Sequence, residues 1–418
     1  MGDAGAIHVP PSNVYALRPM TTFTTRFLGC KVSFADEQAI RERLLADGHT
    51  ETTREADVAV INTCCVTNEA VAKSRQAAAR AARTHSRVYV TGCAANLSTS
   101  AFAGMSENIK VVPRHSEDVA EAIAGDVGAI ACVQADHRLE RVRAFVKIQD
   151  GCSFSCAFCV IPLVRGATRS RTAEAVLTEI RRRVRQGHRE VVLTGVNLGC
   201  FRDRVAGLTL AGLVREAGAI DGLARLRLSS IEVNHVTPDL IDTMRQTPTV
   251  ARHLHVPLQS GDDAVLEAMG RRYSIGQFCA RLEGCEDFNL TTDVIVGFPT
   301  ENDEAFENTL DTIAKVGITK VHAFPYSPRP GTRTAGDDPV APRVKRERSA
   351  RLRAASDAAC RARWIGRVGS EDVVLVDRPG LGYADDYTPW FVDAPVGSLV
   401  RARAVGVADE GVLAVVCG

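Results

Sequence analysis

Three cysteines fall within eight residues, Cys152-Ser-Phe-Ser-Cys156-Ala-Phe-Cys159, just after the apolar stretch Phe145-Val-Lys-Ile148. A C-x₃-C-x₂-C spacing sets three thiolates on three irons of a cubane cluster and leaves the fourth iron without a protein ligand. Four-cysteine sets hold electron-transfer clusters. An open coordination position is what chemistry at a metal needs. Zinc sites favour paired C-x₂-C knuckles or added histidines, and no fourth ligand lies close in the sequence.

Three further cysteines each follow a strand-like run. Cys30 follows Phe23–Leu28, Cys64 follows Val58–Asn62, and Cys93 follows Arg87–Thr91. Helical spacing over Ala35–Asp47 and Ala70–Arg83 separates these runs, which makes a βαβαβ pattern and a parallel sheet. The loops at the carboxyl ends of such strands gather at one edge, where ligands bind. Three thiols from three such loops point to a second three-thiolate cluster. Cys65 adjoins Cys64, and neighbouring side chains diverge in an extended segment, so only one of the two ligates. Residues 94–142 read as the end of this region and a connector, with Cys132 as a packing residue.

A second alternation begins at Arg143. Its strands are expected at Arg143–Ile148, Glu190–Thr194, Leu226–Ile231, His253–Val256, Thr291–Val296 and Lys320–Phe324. Helices are expected at Thr172–Gln186, Leu210–Ala217, Pro238–Met244, Asp262–Glu286 (broken near Gly270) and Asn302–Val316. Six strands with intervening helices predict an open, partial barrel, whose chemistry sits at the C-terminal strand ends. Those ends carry the cysteine loop, Thr194-Gly-Val-Asn197, Ser229-Ser-Ile-Glu232, Pro257-Leu-Gln-Ser-Gly261, Gly297-Phe-Pro299 and Pro325-Tyr-Ser327. Glycines there allow close approach to backbone, and Glu232 and Gln259 offer acceptors for an amine or for ribose hydroxyls.

Basic residues crowd two segments, Arg165–Arg189 and the helix-patterned 327–367, where RNA phosphates have a place to approach. The last fifty residues hold short β runs at Val373–Val376, Trp390–Val392, Leu399–Val405 and Val412–Val416, which predict a small antiparallel barrel. Tyr383, Tyr387, Trp390 and Phe391 there are candidates for stacking on bases, two of the four being expected in the core.

The 418 residues are too many for one ordinary core, and 45% apolar with 24% charged residues is the composition of a soluble globular protein. A net charge of +1 leaves any nucleic-acid contact to local basic patches. No apolar run reaches membrane-spanning length. The N-terminus has neither the basic nor the apolar region of a signal peptide, so thirteen cysteines point to metal or catalysis in the cytoplasm rather than to disulfides. Patterned sequence starts at Phe23, so Met20 is an alternative start.

Over nearly its whole length the chain resembles the radical S-adenosylmethionine methylthiotransferases. The motifs are Leu28-Gly-Cys-Lys-Val32, Asn62-Thr-Cys64, Lys73-Ser-Arg-Gln76, Thr91-Gly-Cys93, Gln149-Asp-Gly-Cys152, Cys159-Val-Ile-Pro162, Arg165-Gly166, His253-Leu-His-Val-Pro-Leu-Gln-Ser-Gly261 and Thr292-Asp-Val-Ile-Val-Gly-Phe-Pro299. Val66-Thr-Asn68, Leu193-Thr-Gly-Val196 and the run from His322 to Gly331 are most similar to the branch acting on threonylcarbamoyladenosine in tRNA. Ala94 and Leu163 depart from the pattern, and neither is a ligand position.

The resemblance implies an α/β chain. It has a flexible extension (1–22), an N-terminal cluster region (23–135), a central partial (β/α)6 radical SAM barrel (140–365) and a TRAM-like RNA-binding barrel (366–418). It implies a [4Fe-4S] cluster on Cys152, Cys156 and Cys159, which are the catalytic ligands. That cluster binds S-adenosylmethionine at its open iron and generates a 5′-deoxyadenosyl radical. A second [4Fe-4S] cluster on Cys30, Cys64 and Cys93 follows, which selects Cys64 over Cys65. Phe158, Gly195, Ser230, Glu232 and Gln259 are the expected cofactor contacts. The implied reaction is methylthiolation of carbon 2 of the adenine beside the anticodon. Its partners are tRNA, an electron donor such as flavodoxin or ferredoxin, and a sulfur source, with no membrane. The competing readings are methylthiolation of isopentenyladenosine, methylthiolation of a ribosomal-protein aspartate, and a non-catalytic iron–sulfur RNA-binding protein.

Overall fold

The structure, a computed structural model, describes residues 21–53, 55–113, 116–128 and 142–417, without the side chains of 116–118. Residues 1–20 of the expected extension, and Cys132, lie outside the described residues. Thr22 already opens the first strand.

The N-terminal elements are β1 (Thr22–Phe27), α1 (Lys31–Ala46), β2 (Thr50–Glu51), β3 (Val58–Thr63), α2 (Asn68–Ala82), β4 (Arg87–Gly92), α3 (Cys93–Leu97), α4 (Ser100–Ala103), β5 (Ile109–Val111) and α5 (Ser116–Val127). They form a parallel sheet in the order β2-β1-β3-β4-β5. β3 is buried along its whole length, which is why it reads as an unbroken apolar run. One sheet face packs on Ile40 and Leu44 of α1 and Val119 and Ile123 of α5. The other packs on Ala77, Ala78 and Ala81 of α2, whose small side chains let the helix lie close. The connector expected over 94–142 gives way to β5 and α5. A three-residue strand leaves too little pattern to read.

The barrel follows as β6 (Arg143–Asp150), α6 (Ile161–Arg165), β7 (Arg169–Ser170), α7 (Ala173–Arg185), β8 (Glu190–Gly195), the short pair β9 (Arg202–Asp203) and β10 (Leu208–Thr209), and α8 (Leu210–Gly218). It continues with β11 (Arg225–Leu228), α9 (Pro238–Gln246), β12 (His253–His255), α10 (Asp263–Met269), α11 (Ile275–Leu282), β13 (Asn289–Val296), α12 (Asp303–Val316) and β14 (Lys320–Pro325). Six of these strands, β6, β8, β11, β12, β13 and β14, run parallel. β11 joins β12 through a bridge between Ser230 and His255. β6 carries on its outer side only the antiparallel β7, so the barrel stays open. Gly270, in the left-handed conformation, caps α10 and separates it from α11. Phe34 of α1 packs edge-on against Phe145 of β6, which docks the first sheet on the barrel.

α13 (Pro342–Arg367) leads from the barrel to β15 (Glu371–Arg378), β16 (Leu381–Tyr383), β17 (Pro389–Phe391), β18 (Leu399–Ala408) and β19 (Gly411–Val416), which close into a five-stranded barrel around Trp390. β16 is the strand that sequence patterning misses. The loop between β16 and β17 reaches into the N-terminal end of the large barrel. Arg225 donates to the Tyr383 carbonyl at 3.0 Å, Arg227 to the Ala384 and Asp385 carbonyls at 2.7 Å, and Arg143 to the Tyr387 hydroxyl at 2.8 Å. Glu190 sits between Arg225 (3.3 Å) and Arg227 (3.0 Å). Tyr383 and Tyr387 stack at 5.0 Å and lie under Arg143 and Arg227. Of the four aromatics, two were expected in the core; Trp390 is fully buried there, and Tyr383, Tyr387 and Phe391 are half-buried.

Candidate metal and cofactor site

Each cysteine loop turns sharply out of its strand. Gly92 (φ 90°) and Gly151 (φ 67°) precede Cys93 and Cys152 in conformations that favour glycine. A Cβ at Gly92 would collide with the Asn62 side chain and the Thr63 backbone, and one at Gly151 with the backbone of Gly166 and Ala167. Sterics therefore fix both cysteines just past their strand ends.

Cys30 begins α1 as its N-cap, and Cys93 is the first residue of α3. Cys64 is buried, and its backbone N–H donates to Ser74 Oγ at 3.1 Å. Burial pushes the Cys64 thiol up to about 11, against a counteracting backbone N–H from Val66, and Cys93 and Cys30 add to the rise. Cys93 behaves oppositely. A hydrogen bond from Cys65 stabilises its thiolate against burial, and Arg165 Nε donates to its sulfur at 3.2 Å, so it falls to about 7. Cys65 is fully buried and donates to Cys93, which raises its own thiol. Both members of the cysteine pair act on Cys93: Cys65, in the same apolar cluster, through a hydrogen bond, and Cys64 electrostatically.

Around the second set, Phe154 N–H donates to Cys152 Sγ at 3.4 Å and Arg271 to Cys156 Sγ at 3.5 Å. Burial raises Cys159 to about 12 and raises Cys152 as well. Loading a metal here must release protons. Among the described residues the one histidine, cysteine or acidic group whose ligand atoms converge within 4.8 Å is His255, Asp293 and His322. The thiol triads are therefore wider than a mononuclear zinc site, and soft thiolate donors suit iron–sulfur clusters.

The expected cofactor contacts surround this loop. Gly195 ends β8 beside Gln149, whose amide donates to the Gly151 carbonyl at 2.7 Å and accepts from the Asn197 N–H at 2.8 Å. Glu232 accepts from Asn234 and lies 3.7 Å from Arg271. Gln259 adopts φ 69°, a strained position for a side-chain-bearing residue and one typical of functional sites. Ser230 bridges to His255, and Phe158 packs edge-on against Phe298. Thr194 Oγ1, Asn197 Oδ1 and Ser229 Oγ are buried without hydrogen-bond partners on this rim. Orphaned polar atoms of that kind ask for a polar ligand, which fits S-adenosylmethionine.

Sequence reasoning missed the arginines that knit the site. Arg165 donates to Cys93, to Asp150 (3.0 Å) and to Asp36 of α1 (2.7 Å), and Lys147 reaches the same two carboxylates. Burial raises the Asp150 carboxyl, yet Lys147 and Arg165 outweigh it and hold it at about 2. Arg329 donates to the Cys65 carbonyl at 3.2 Å and to Asn68. The motif Arg165-Gly166 marked the first of these, but its partner 129 residues away in α1 leaves no local trace.

The basic runs are also partly consumed. Arg165 and Arg183 are buried against acids, Arg348 binds Glu301 and Asp303, and Arg363 and Arg367 bind Asp386. Arg181, Arg185, Arg189, Arg346, Arg353 and Arg361 remain exposed for phosphates. Cys360 donates to the Thr319 carbonyl and is a packing residue. Among the described residues no helix is long and apolar enough to cross a membrane.

Residues 146–313 match the radical SAM superfamily and residues 22–113 match the uncharacterized protein family UPF0004. The threonylcarbamoyladenosine tRNA methylthiotransferase MtaB of Chlamydia pneumoniae is 34% identical over 411 residues, 94% of this chain and 97% of its own. A tRNA-2-methylthio-N(6)-dimethylallyladenosine synthase of Cereibacter sphaeroides is 33% identical, over 90% of this chain and 94% of its own. In fold, the chain is similar to the radical S-adenosylmethionine methyltransferase TsrM of Kitasatospora setae. The TM-score is 0.57 at 14% identity, over 76% of this chain and 77% of that one.

Proposed function

The chain belongs to the radical S-adenosylmethionine methylthiotransferases that modify tRNA, and on that premise we propose that its substrate is N6-threonylcarbamoyladenosine beside the anticodon. It methylthiolates carbon 2 of that base with two [4Fe-4S] clusters. The observation that supports the two-cluster part of this reading is the docking of the helix after one thiol set on the helix that opens with a cysteine of the other. α6, which starts two residues after Cys159, packs on α3, which begins at Cys93, and Arg165 at the end of α6 touches the Cys93 sulfur.

In this reading Cys152, Cys156 and Cys159 would hold one cluster, beside which S-adenosylmethionine would bind. Cys30, Cys64 and Cys93 hold the other. When bound, the clusters and S-adenosylmethionine would relay the electron, abstract the hydrogen and deliver the sulfur and methyl group, none of which side chains provide at an unactivated sp² carbon. The protein binds, orients and keeps water out. Gly195, Ser230, Glu232 and Gln259 take the polar parts of the cofactor, and Phe158 takes an apolar one. Val160 and Val164 are buried in the same apolar cluster as Cys65 and Cys93 and dry the space between the sets. Arg271 places positive charge at Cys156. The exposed arginines of α7 and α13 meet the tRNA backbone, whose anticodon loop splays out the target base. The electron donor, a flavodoxin or ferredoxin, and the sulfur source come from outside the chain.

The test is anaerobic incubation of the reconstituted enzyme with dithionite, S-adenosylmethionine and tRNA carrying threonylcarbamoyladenosine, followed by nucleoside mass spectrometry. The methylthio-threonylcarbamoyl nucleoside and 5′-deoxyadenosine are expected. Conversion of a dimethylallyl-adenosine tRNA in its place overturns the substrate assignment.

A further inference from the structure

β12, β13 and β14 bring three titratable side chains together on the lumen side of the barrel: His255 is buried, Asp293 half-buried and His322 exposed. Leu290, Val294 and Val296 of β13 and Val321 of β14 face the helix-side core, so Asp293 and His322 face the lumen. His255, Asp293 and His322 each place a ligand-type atom within 4.8 Å of the others. His255 is satisfied on both nitrogens, by Asp293 at 3.2 Å and Thr291 Oγ1 at 2.9 Å. The His322 ring lies 5.7 Å from the His255 ring, and among the described residues nothing hydrogen-bonds to it. Lys31, next to Cys30, is exposed, is within electrostatic reach of His253 and His322, and has no ion pair among the described residues. His322 therefore stands unused beside an acceptor that is already balanced, and Lys31 adds a positive charge within electrostatic reach of that histidine.

A second juxtaposition points the same way. Val66-Thr-Asn68 and the run from His322 to Gly331, through which the sequence resembles the threonylcarbamoyl branch, meet in space. The Asn68 N–H donates to Ser327 Oγ at 3.2 Å, and Arg329 donates to the Asn68 side chain.

We propose that His322 and Lys31 form the carboxylate-binding end of a subsite for the N6 substituent of the target adenine, with Asp293 accepting from that substituent's hydroxyl or N–H groups. This rests on the substrate reading above and names the residues that enforce it. A threonylcarbamoyl group carries a carboxylate, a hydroxyl and N–H donors. A dimethylallyl group carries none and would leave these side chains without a hydrogen-bonding partner on the ligand. Sites built to hydrogen-bond a ligand reject the analogue that lacks the group far more strongly than apolar pockets reject an extra methylene.

The experiment uses reconstituted enzyme and three anticodon stem-loop RNAs, with N6-threonylcarbamoyladenosine, its carboxamide (the carboxylate amidated), or N6-dimethylallyladenosine. Dissociation constants and kcat/KM are measured for each. The native enzyme is expected to prefer acid over amide by roughly tenfold to hundredfold, the scale of a charge-assisted hydrogen bond. In His322→Ala and in Lys31→Met that ratio should shrink severalfold each, with His322→Gln intermediate. Dissociation constants report the ratio even in a variant that does not turn over. An unchanged ratio in both variants, or a native enzyme indifferent to amidation, overturns the proposal while leaving the substrate assignment standing. A ratio abolished by chelation and restored by magnesium assigns the carboxylate to a bound cation and also overturns it. Turnover of the dimethylallyl RNA alone sinks the substrate assignment instead.

Discussion

The two mouths of the large barrel are built from the same six strands and treat polar groups in opposite ways. At the N-terminal mouth, Arg143, Glu190, Arg225, Arg227 and Asn289 are each the first or third residue of a strand, and each has at least one partner; Glu190 Oε1 and Arg227 Nε make no hydrogen bond but pair as ions at 3.0 Å, and Thr388 Oγ1 stays unpaired there. The loop from Tyr383 to Thr388 supplies carbonyls, carboxylates and two aromatic rings, and the opening is sealed. At the C-terminal mouth, Thr194, Asn197 and Ser229 keep buried oxygens with no partner, and Gln259 holds a strained backbone. Buried polar groups cost little when fully satisfied and a great deal when not. The sealed end is therefore structural, and the unsatisfied end is where ligands belong.

That contrast breaks most visibly at the thiols. Cys156→Ala is expected to abolish 5′-deoxyadenosine formation and to lower iron from about eight per chain toward about four. Cys64→Ala should lose a similar amount of iron, keep S-adenosylmethionine cleavage and stop sulfur insertion. At the sealed mouth, Arg227→Met leaves carbonyls and Glu190 short of a partner. It should cost about 3–5 kcal/mol of stability in denaturant unfolding, with cofactor cleavage by the remaining folded enzyme retained. The acid limb of stability sharpens the comparison. Lys147 and Arg165 hold Asp150 at about 2, below its ordinary 3.8. Its stabilisation is therefore complete above about pH 4 and lost as pH falls toward 2, a loss of about 2 kcal/mol that Asp150→Asn should remove from the pH profile. Gln259→Gly relieves the positive φ and should stabilise the fold by about 1 kcal/mol while weakening S-adenosylmethionine binding in calorimetry. The smallest effect expected is that of Cys65→Ala, about 1 kcal/mol for the lost thiol hydrogen bond, with iron content unchanged. Loss of the second cluster in that variant would reverse the assignment of Cys64.

The six barrel strands and the cysteine loops were legible because local patterns encode them: apolar runs, helical spacing, and glycine before cysteine. Their boundaries agree with the structure to within three residues. β5 and α5 were not, since Ile109–Val111 is too short for a pattern and the residues after it read as a connector. The larger loss is in the arginines. Arg165, Arg183 and Arg348 look in sequence like members of basic runs, yet each is buried against a distant carboxylate. Charge runs report composition, and only the fold decides which members face water. The contacts of Tyr383 and Tyr387 with Arg143 and Arg227 were illegible for the same reason, because those arginines belong to another barrel.

The Arg165 contact has a consequence for how such chains are inherited and engineered. One guanidinium spans Asp36 of α1, which packs on the first sheet, Asp150 of the barrel and the Cys93 sulfur. The N-terminal sheet is therefore not an interchangeable module. A graft of that sheet onto a foreign radical barrel would have to carry the cation along with its carboxylates, and a chimera that moved one without the other would present a buried charge with no counterpart at its new seam.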